Sequence, residues 1–269
     1  MFLTLNYKLL ISLFIPFFSI LLGSLSVFFF KNKLNNILQK LLLGLSSGIM
    51  LALAVCVLLV PSINYFDVNS TKRYLSLSIF FILGLIIIIL IDLFIPHIHT
   101  NNKEEGIKAN TLDFKAKYFI SSIIHNVSEG LAVGFVITYG FIEENISNTA
   151  LLLAIGIGCQ NLFESMIQTF KIKEYGYTKA KAFIFGIVSG LIEPLVMALC
   201  IPLGIYLTNI IPYVLSFVCG IMIYIAADEI IPDKKDKNKM NFEMLGLNIG
   251  FIFMFIISIM VVFKWIKLF

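Results

Sequence analysis

Ligand-type side chains interrupt the apolar stretch "IIHNVSEGLAVGF", residues 123–135. His125 and Glu129 are four positions apart, and Asn126 and Glu129 are three apart, so a helix would bring all three to one side. Imidazole, carboxylate and carboxamide groups together suit a borderline divalent cation such as Zn²⁺, Fe²⁺ or Mn²⁺. The stretch therefore predicts one half of a metal site.

The stretch "CQNLFES", residues 159–165, repeats this geometry. Gln160 precedes Glu164 by four positions and Asn161 precedes it by three. A helix would again bring the carboxylate and the two carboxamides to one side. Two facing helices would then each offer one carboxylate with further nitrogen or oxygen ligands.

A third acid, Glu193, lies directly before Pro194 in another apolar run. Proline has no amide to donate, so it can free the carbonyl of Gly190 near this carboxylate. Each of the three acids would cost about 2.5–3.5 kcal/mol at the centre of a bilayer. No Lys or Arg lies in the middle of these runs. The counter-ion is either a proton or a metal cation, and the neighbouring ligands favour the metal; a lone His125 could instead bond a carbonyl on a neighbouring helix.

The composition of the chain indicates that membrane-spanning helices carry these side chains. Of the 269 residues, 59% are hydrophobic and 13% are charged, whereas a soluble domain has about 25% charged residues. A helix needs about 20 apolar residues to cross a bilayer. We therefore predict an all-α membrane protein, a single transmembrane domain over residues 1–269 with a cytosolic loop at 96–117. Its eight spans lie at about 9–30, 41–61, 75–95, 118–141, 149–171, 182–207, 210–231 and 243–263.

The distribution of basic residues predicts the orientation. Fifteen of the 20 Lys and Arg residues lie in the first, third, fifth and seventh connections. The positive-inside rule places these connections in the cytosol and both termini on the other side. The lysines are thus topology determinants, and we expect a lipid bilayer and no nucleic acid as a partner.

Several motifs together resemble the ZIP family of metal transporters, in particular its GufA-like branch. "HNVSEGLAVG" resembles the family's fourth-helix signature HN-x-P-E/D-G, and "QNLFES" resembles QN-x-P-E-G in the fifth helix. The end of the third helix, the sixth-helix Glu-Pro motif and the acidic end of the seventh helix are matched by "LIDLFIPHIH", "SGLIEPL" and "AADEIIPD". The resemblance covers nearly the whole chain.

This resemblance implies a bundle of eight helices, a homodimer, and a two-metal centre whose ligand-bearing helices move metal toward the cytosol. By similarity, one site contains His125, Glu129, Gln160 and Glu164, and its neighbour contains Asn126, Asn161, Glu164 and Glu193. Asp228 and Glu229 match positions near the cytosolic exit. His97 and His99 could catch the released metal there, with an ordinary solvated loop as the alternative.

The chain also departs from the family pattern. Ser128 and Phe163 stand where the two ligand helices usually carry prolines, so any kink there would need Ser/Gly chemistry or a π-bulge. Ser62 stands where many members have an acid after the second-helix proline. These departures concern local geometry rather than the ligand set.

We therefore predict a non-enzymatic transporter of divalent transition metals into the cytosol, for zinc first, with Fe²⁺, Mn²⁺ and Cd²⁺ as further substrates and no required cofactor. We expect it in the plasma membrane, with an organelle membrane as the alternative. One rival is a proton-coupled carrier of a non-metal solute. The other is a membrane-embedded zinc hydrolase, which needs three protein ligands and an open position for water. His125 is the only histidine within a predicted span, and the chain has no H-E-x-x-H motif.

Overall fold

The computed structural model describes residues 7–30, 34–64, 71–98, 104–107, 112–142, 147–230 and 241–262. Eight helical segments among them are long and apolar enough to span a membrane, which confirms the predicted fold class. The helices are α1 (Tyr7–Phe29), α2 (Asn36–Leu53), α3 (Val60–Asn64), α4 (Thr71–Phe94), α5 (Phe114–Ile142), α6 (Ser147–Glu174), α7 (Lys179–Gly190), α8 (Ile192–Tyr206), α9 (Ile211–Ile230) and α10 (Phe242–Val262).

The second span contains a π-helical segment, Ala54–Leu59, between α2 and α3. It lies just before Pro61, which has no amide and whose ring crowds the carbonyl four residues earlier. The Ser62 hydroxyl donates to the carbonyl of Leu59 over 2.7 Å. The wider π turn thus accommodates the proline within the span. At Ser128 and Phe163, where the sequence raised the question of a kink, the helices remain α-helical.

The sixth span, predicted as one run over 182–207, is two helices. α7 ends at Gly190 and α8 begins at Ile192, with Leu191 between them. Pro194 lies in the first turn of α8, where a missing amide costs no helical hydrogen bond. The interruption therefore places Glu193 in the first turn of a new helix, inside the bundle.

The described residues of the predicted loop 96–117 include regular secondary structure. Two short strands, β1 (His97–Ile98) and β2 (Glu104–Glu105), pair antiparallel. α5 already begins at Phe114, because the Asp113 carboxylate caps it by accepting from the amide of Ala116 over 2.9 Å. The last residues of the predicted loop therefore form the first turn of α5.

The polar helices lie at the centre of the bundle. The most apolar stretches of α5 and α6 are each 72% buried, whereas the most apolar stretch of α4 is only 22% buried. A lipid-facing helix can stay apolar all round, while carboxylates and amides need protein partners. α5 also approaches α8 closely: a Cβ added at Gly130 would lie 2.8 Å from the Glu193 carbonyl oxygen and 2.8 Å from the Val196 Cβ.

α2 and α10 pack against each other backbone to backbone. A Cβ added at Gly44 would collide with the carbonyl oxygen of Glu243, and one added at Gly246 would collide with that of Leu41. Small residues allow membrane helices to approach this closely. Van der Waals packing then drives their association, because lipid provides no hydrophobic driving force between helices. An early and a late helix of the chain are thereby joined along their length.

Candidate metal centre

The predicted ligands are buried at the meeting point of α5, α6 and α8. α5 carries His125, Asn126 and Glu129 on one side because they are three and four positions apart. Their exposed fractions are 6%, 8% and 0%. The ligands from the other two helices are buried as well: Gln160, Asn161 and Glu164 of α6, and Glu193 of α8.

An imidazole and two carboxylates form the core of the cluster. His125 Nδ1 lies 3.3 Å from Glu164 Oε1 and 3.8 Å from Glu229 Oε1. One ligand atom from each of these three residues lies within 4.8 Å of the other two. Nitrogen and oxygen atoms at such separations can converge on one cation with small side-chain movements, since Zn²⁺ binds both types of atom at about 2.0–2.2 Å.

Carboxamides connect the remaining acids. The Gln160 amide donates to Glu129 Oε1, and Asn161 Nδ2 donates to Glu193 Oε2 over 2.8 Å. The structure thus brings together members of the predicted ligand sets in three pairs across helices: His125 with Glu164, Glu129 with Gln160, and Asn161 with Glu193. These contacts draw α5, α6 and α8 into one polar layer.

Asn126 has a different partner. Its amide donates to the carbonyl of Ser189 over 2.9 Å, at the end of α7. This carbonyl belongs to the last turn of α7, two residues before the interruption at Leu191. Asn126 therefore ties α5 to the broken span rather than to a carboxylate.

Three acceptor atoms in this layer are buried and accept no hydrogen bond: Glu129 Oε2, Gln160 Oε1 and Glu193 Oε1. A buried acceptor without a partner costs about 1–3 kcal/mol. Glu129, Glu164, Glu193 and Glu229 are moreover all buried, so their negative charges would repel one another where no cation lies between them. A divalent cation bound among these atoms would satisfy the acceptors and offset the repulsion between the carboxylates.

Asp228 and Glu229, expected together near the exit, point in different directions. Glu229 lies beside His125 and accepts from the Ser47 hydroxyl over 3.1 Å. Asp228 instead lines a cavity on the other side of His125, which is lined by His125 as well. Neighbouring residues of a helix point about 100° apart, so the two carboxylates have different surroundings.

This cavity begins at the cluster and ends near the third connection. It is lined by Asp92, His97, Ser121, His125 and Asp228, among others. His97 Nε2 lies 3.2 Å from Asp92 Oδ1, and its Nδ1 lies 2.8 Å from the carbonyl oxygen of Ile95. Polar groups thus continue from His125 to β1. His99, the other predicted exit residue, lies outside the residues that the structure describes.

Three further polar residues support the cluster and were not predicted. Ser47 contacts Glu229 as described, and Gln168 Nε2 donates to Glu164 Oε1 over 2.8 Å. The Ser122 hydroxyl in turn donates to Gln168 Oε1 over 2.9 Å. The spacing of Gln168 four positions after Glu164 was the available signal.

Eight apolar helices among the described residues, with a buried set of imidazole, carboxylate and carboxamide side chains between them, define an integral, multi-pass membrane protein. Comparisons with known proteins agree. The profile of the family described as "ZIP Zinc transporter" matches residues 108–258, more than half of the chain. The chain belongs to the ZIP zinc transporter family.

Individual relatives carry zinc transporter names. The chain is 34% identical to human zinc transporter ZIP11 over 142 residues, which cover 52% of the chain and 41% of that protein. It is 26% identical to zinc transporter ZupT of Chlorobaculum parvum over 242 residues, 84% of the chain and 87% of the relative. Zinc transporter GufA of Myxococcus xanthus is 27% identical over 158 residues, 58% of the chain and 60% of the relative. The chain spans less than two thirds of the human and Myxococcus proteins.

Proposed function

We propose that this protein transports divalent transition-metal ions across a membrane, with Zn²⁺ as its main substrate. The observation that carries the proposal is the convergence of His125, Glu164 and Glu229, whose ligand atoms lie within 4.8 Å of one another inside the bundle. One imidazole with carboxylates suits a borderline cation. The relatives named as zinc transporters support Zn²⁺ as the first substrate to test.

The substrate site in this proposal combines ligands of α5, α6 and α8 with Glu229 of α9. His125, Glu164 and Glu229 would hold one ion, and the layer of Glu129, Gln160, Asn161 and Glu193 would hold a second or receive the first. The three acceptor atoms without hydrogen bonds support a binding role for this layer. Fe²⁺, Mn²⁺ and Cd²⁺ belong to the same proposal as slower substrates.

The proposed direction is toward the cytosol. The cavity from His125 to His97 ends beside the connection between α4 and α5. This connection carries Lys103, Lys108, Lys115 and Lys117, so the positive-inside rule assigns it to the cytosol. Reporter tags within residues 103–117 should be cytosolic, and tags at both termini should lie on the other side. A cytosolic C-terminus would contradict this orientation.

The membrane and the assembly are the remaining parts of the proposal. We infer residence in the plasma membrane. We also infer assembly as a homodimer, which the family resemblance implies. Cross-linking of the purified protein in proteoliposomes tests the assembly, and a single band at the monomer mass would contradict it.

Metal-resolved uptake tests the transport proposal directly. Purified protein is reconstituted in proteoliposomes, and uptake of Zn²⁺, Fe²⁺, Mn²⁺ and Cd²⁺ is measured with an internal fluorescent chelator. The Glu229→Gln variant should lose most Zn²⁺ uptake. The matched control is Glu243→Gln, which removes an acid that pairs with Lys40 over 3.7 Å at the α2/α10 contact. Equal uptake by empty liposomes and by wild-type protein for all four ions would refute the proposal.

A further inference from the structure

Glu164 has a fixed partner on its own helix. Gln168 Nε2 donates to Glu164 Oε1 over 2.8 Å, one turn further along α6. The same oxygen faces His125 Nδ1 at 3.3 Å. Oε1 is therefore held by the amide of Gln168 and faces the imidazole of His125.

The amide of Gln168 is itself held in place. Its oxygen accepts from the Ser122 hydroxyl of α5 over 2.9 Å, which leaves its nitrogen directed at Glu164. Gln168 is 9% exposed and Ser122 is 1% exposed, so water does not compete freely for these bonds. Both ends of the carboxamide are therefore used, and its orientation is determined by the protein.

Such a hydrogen bond influences how Glu164 can bind a cation. The Gln168 amide occupies one lone pair of Oε1 and orients the carboxylate, which favours binding of one cation through a single oxygen rather than through both. Zn²⁺ with about four ligands at 2.0–2.2 Å tolerates this arrangement. Mn²⁺ prefers about six oxygen ligands in an octahedron, and a carboxylate bound through both oxygens would help to supply them.

We propose, on the basis of the proposed function, that Gln168 is a positioning residue that makes the centre selective for Zn²⁺ over Mn²⁺. It acts through Glu164 and does not itself contact the ion. Its amide limits Glu164 to one-oxygen binding and holds that carboxylate against His125. Ser122 acts one step further out by fixing the amide.

The test is uptake of Zn²⁺ and Mn²⁺ in proteoliposomes, measured separately and in competition. Gln168→Met keeps the length of the side chain and removes its hydrogen bonds. Because loss of an outer-shell partner costs about 10- to 100-fold in metal affinity, the half-maximal Zn²⁺ concentration should rise about tenfold. Mn²⁺ uptake should change less, so the Zn²⁺/Mn²⁺ ratio should fall about three- to tenfold. Ser122→Ala should shift the ratio in the same direction by less.

Thr169→Val is the matched control. Thr169 is fully buried next to Gln168, and its hydroxyl donates to the carbonyl of Ser165 over 2.6 Å within α6. Removing this hydroxyl should leave the Zn²⁺/Mn²⁺ ratio unchanged. An unchanged ratio in both Gln168→Met and Ser122→Ala, or an equal shift in Thr169→Val, would overturn the assignment of Gln168. No uptake of either ion by the wild-type protein would instead contradict the proposed function, and this inference with it.

Discussion

Glu164 is the carboxylate on which most of the cluster depends, so Glu164→Gln is the most informative single change. The glutamine keeps the volume and one oxygen that can accept from Gln168. It removes the charge that faces His125 at 3.3 Å and that is buried with the acids Glu129 and Glu193, where like charges repel one another. The metal-free fold should therefore be as stable as the wild type, whereas binding of a cation should be much weaker.

The size of the effect follows from linkage between binding and folding. Loss of an outer-shell partner already weakens metal binding about 10- to 100-fold, so loss of a charged ligand should cost at least about 100-fold. At a Zn²⁺ concentration about a hundredfold above the wild-type dissociation constant, binding stabilises the wild-type protein by about 2.7 kcal/mol and the variant by only about 0.4 kcal/mol. With about 2–4 °C per kcal/mol, the melting temperature should rise by about 5–10 °C in the wild type and by about 1 °C in the variant.

Thermal unfolding in detergent, with and without Zn²⁺, measures both quantities. The Glu243→Gln control should respond to Zn²⁺ as the wild type does. An equal rise of the melting temperature in Glu164→Gln and wild type would show that Glu164 is not a ligand. A lower melting temperature of the variant without Zn²⁺ would show that its charge stabilises the fold, contrary to the repulsion argument.

Three further outcomes are expected. His125→Ala removes the nitrogen ligand, so competition uptake should show a larger loss for Zn²⁺ than for Mn²⁺; equal losses would contradict its role. Metal binds only the deprotonated ligands, so the half-maximal Zn²⁺ concentration for uptake should rise as the outer pH falls from about 7.5 to 5.5, and a constant value would refute proton competition. Gly130→Ala must push α8 away from α5, because the new Cβ would lie 2.8 Å from the Glu193 carbonyl oxygen. It should lower the stability by about 1–3 kcal/mol and reduce uptake, whereas wild-type uptake would show that α8 can move freely.

The spans and the faces of the ligand helices could be predicted because they depend on local periodicity. The apolar runs separated by lysine-rich connections indicated eight spans, and eight segments of sufficient length and apolarity lie among the residues that the structure describes. The spacing of His125 and Glu129 fixed their common side within α5. The same reasoning applied to Gln160 and Glu164 of α6, which the structure places opposite the α5 pair.

The features that escaped prediction depend on how helices are rotated and broken. The choice between Asp228 and Glu229 as the neighbour of His125 depends on the rotation of α9, which adjacent acids in one motif do not reveal. The π-helical segment before Pro61 arises where a proline has to be accommodated within a buried span. The spacing of Gln168 from Glu164 indicates that the two residues are neighbours on α6. It did not predict the direction of the Gln168 amide, which is fixed by the contact with Ser122.

The close contact between α2 and α10 has a consequence for the order of assembly in the cell. Gly44 and Gly246 come from opposite ends of the sequence, and a ribosome produces one long before the other. During synthesis, the glycine-lined side of α2 must face lipid or a translocon partner until α10 enters the bilayer. Contacts between such distant segments form late and slow the completion of a fold. α2 also carries Ser47, which contacts Glu229, so this side of the centre becomes fully supported only when the last described helix has docked.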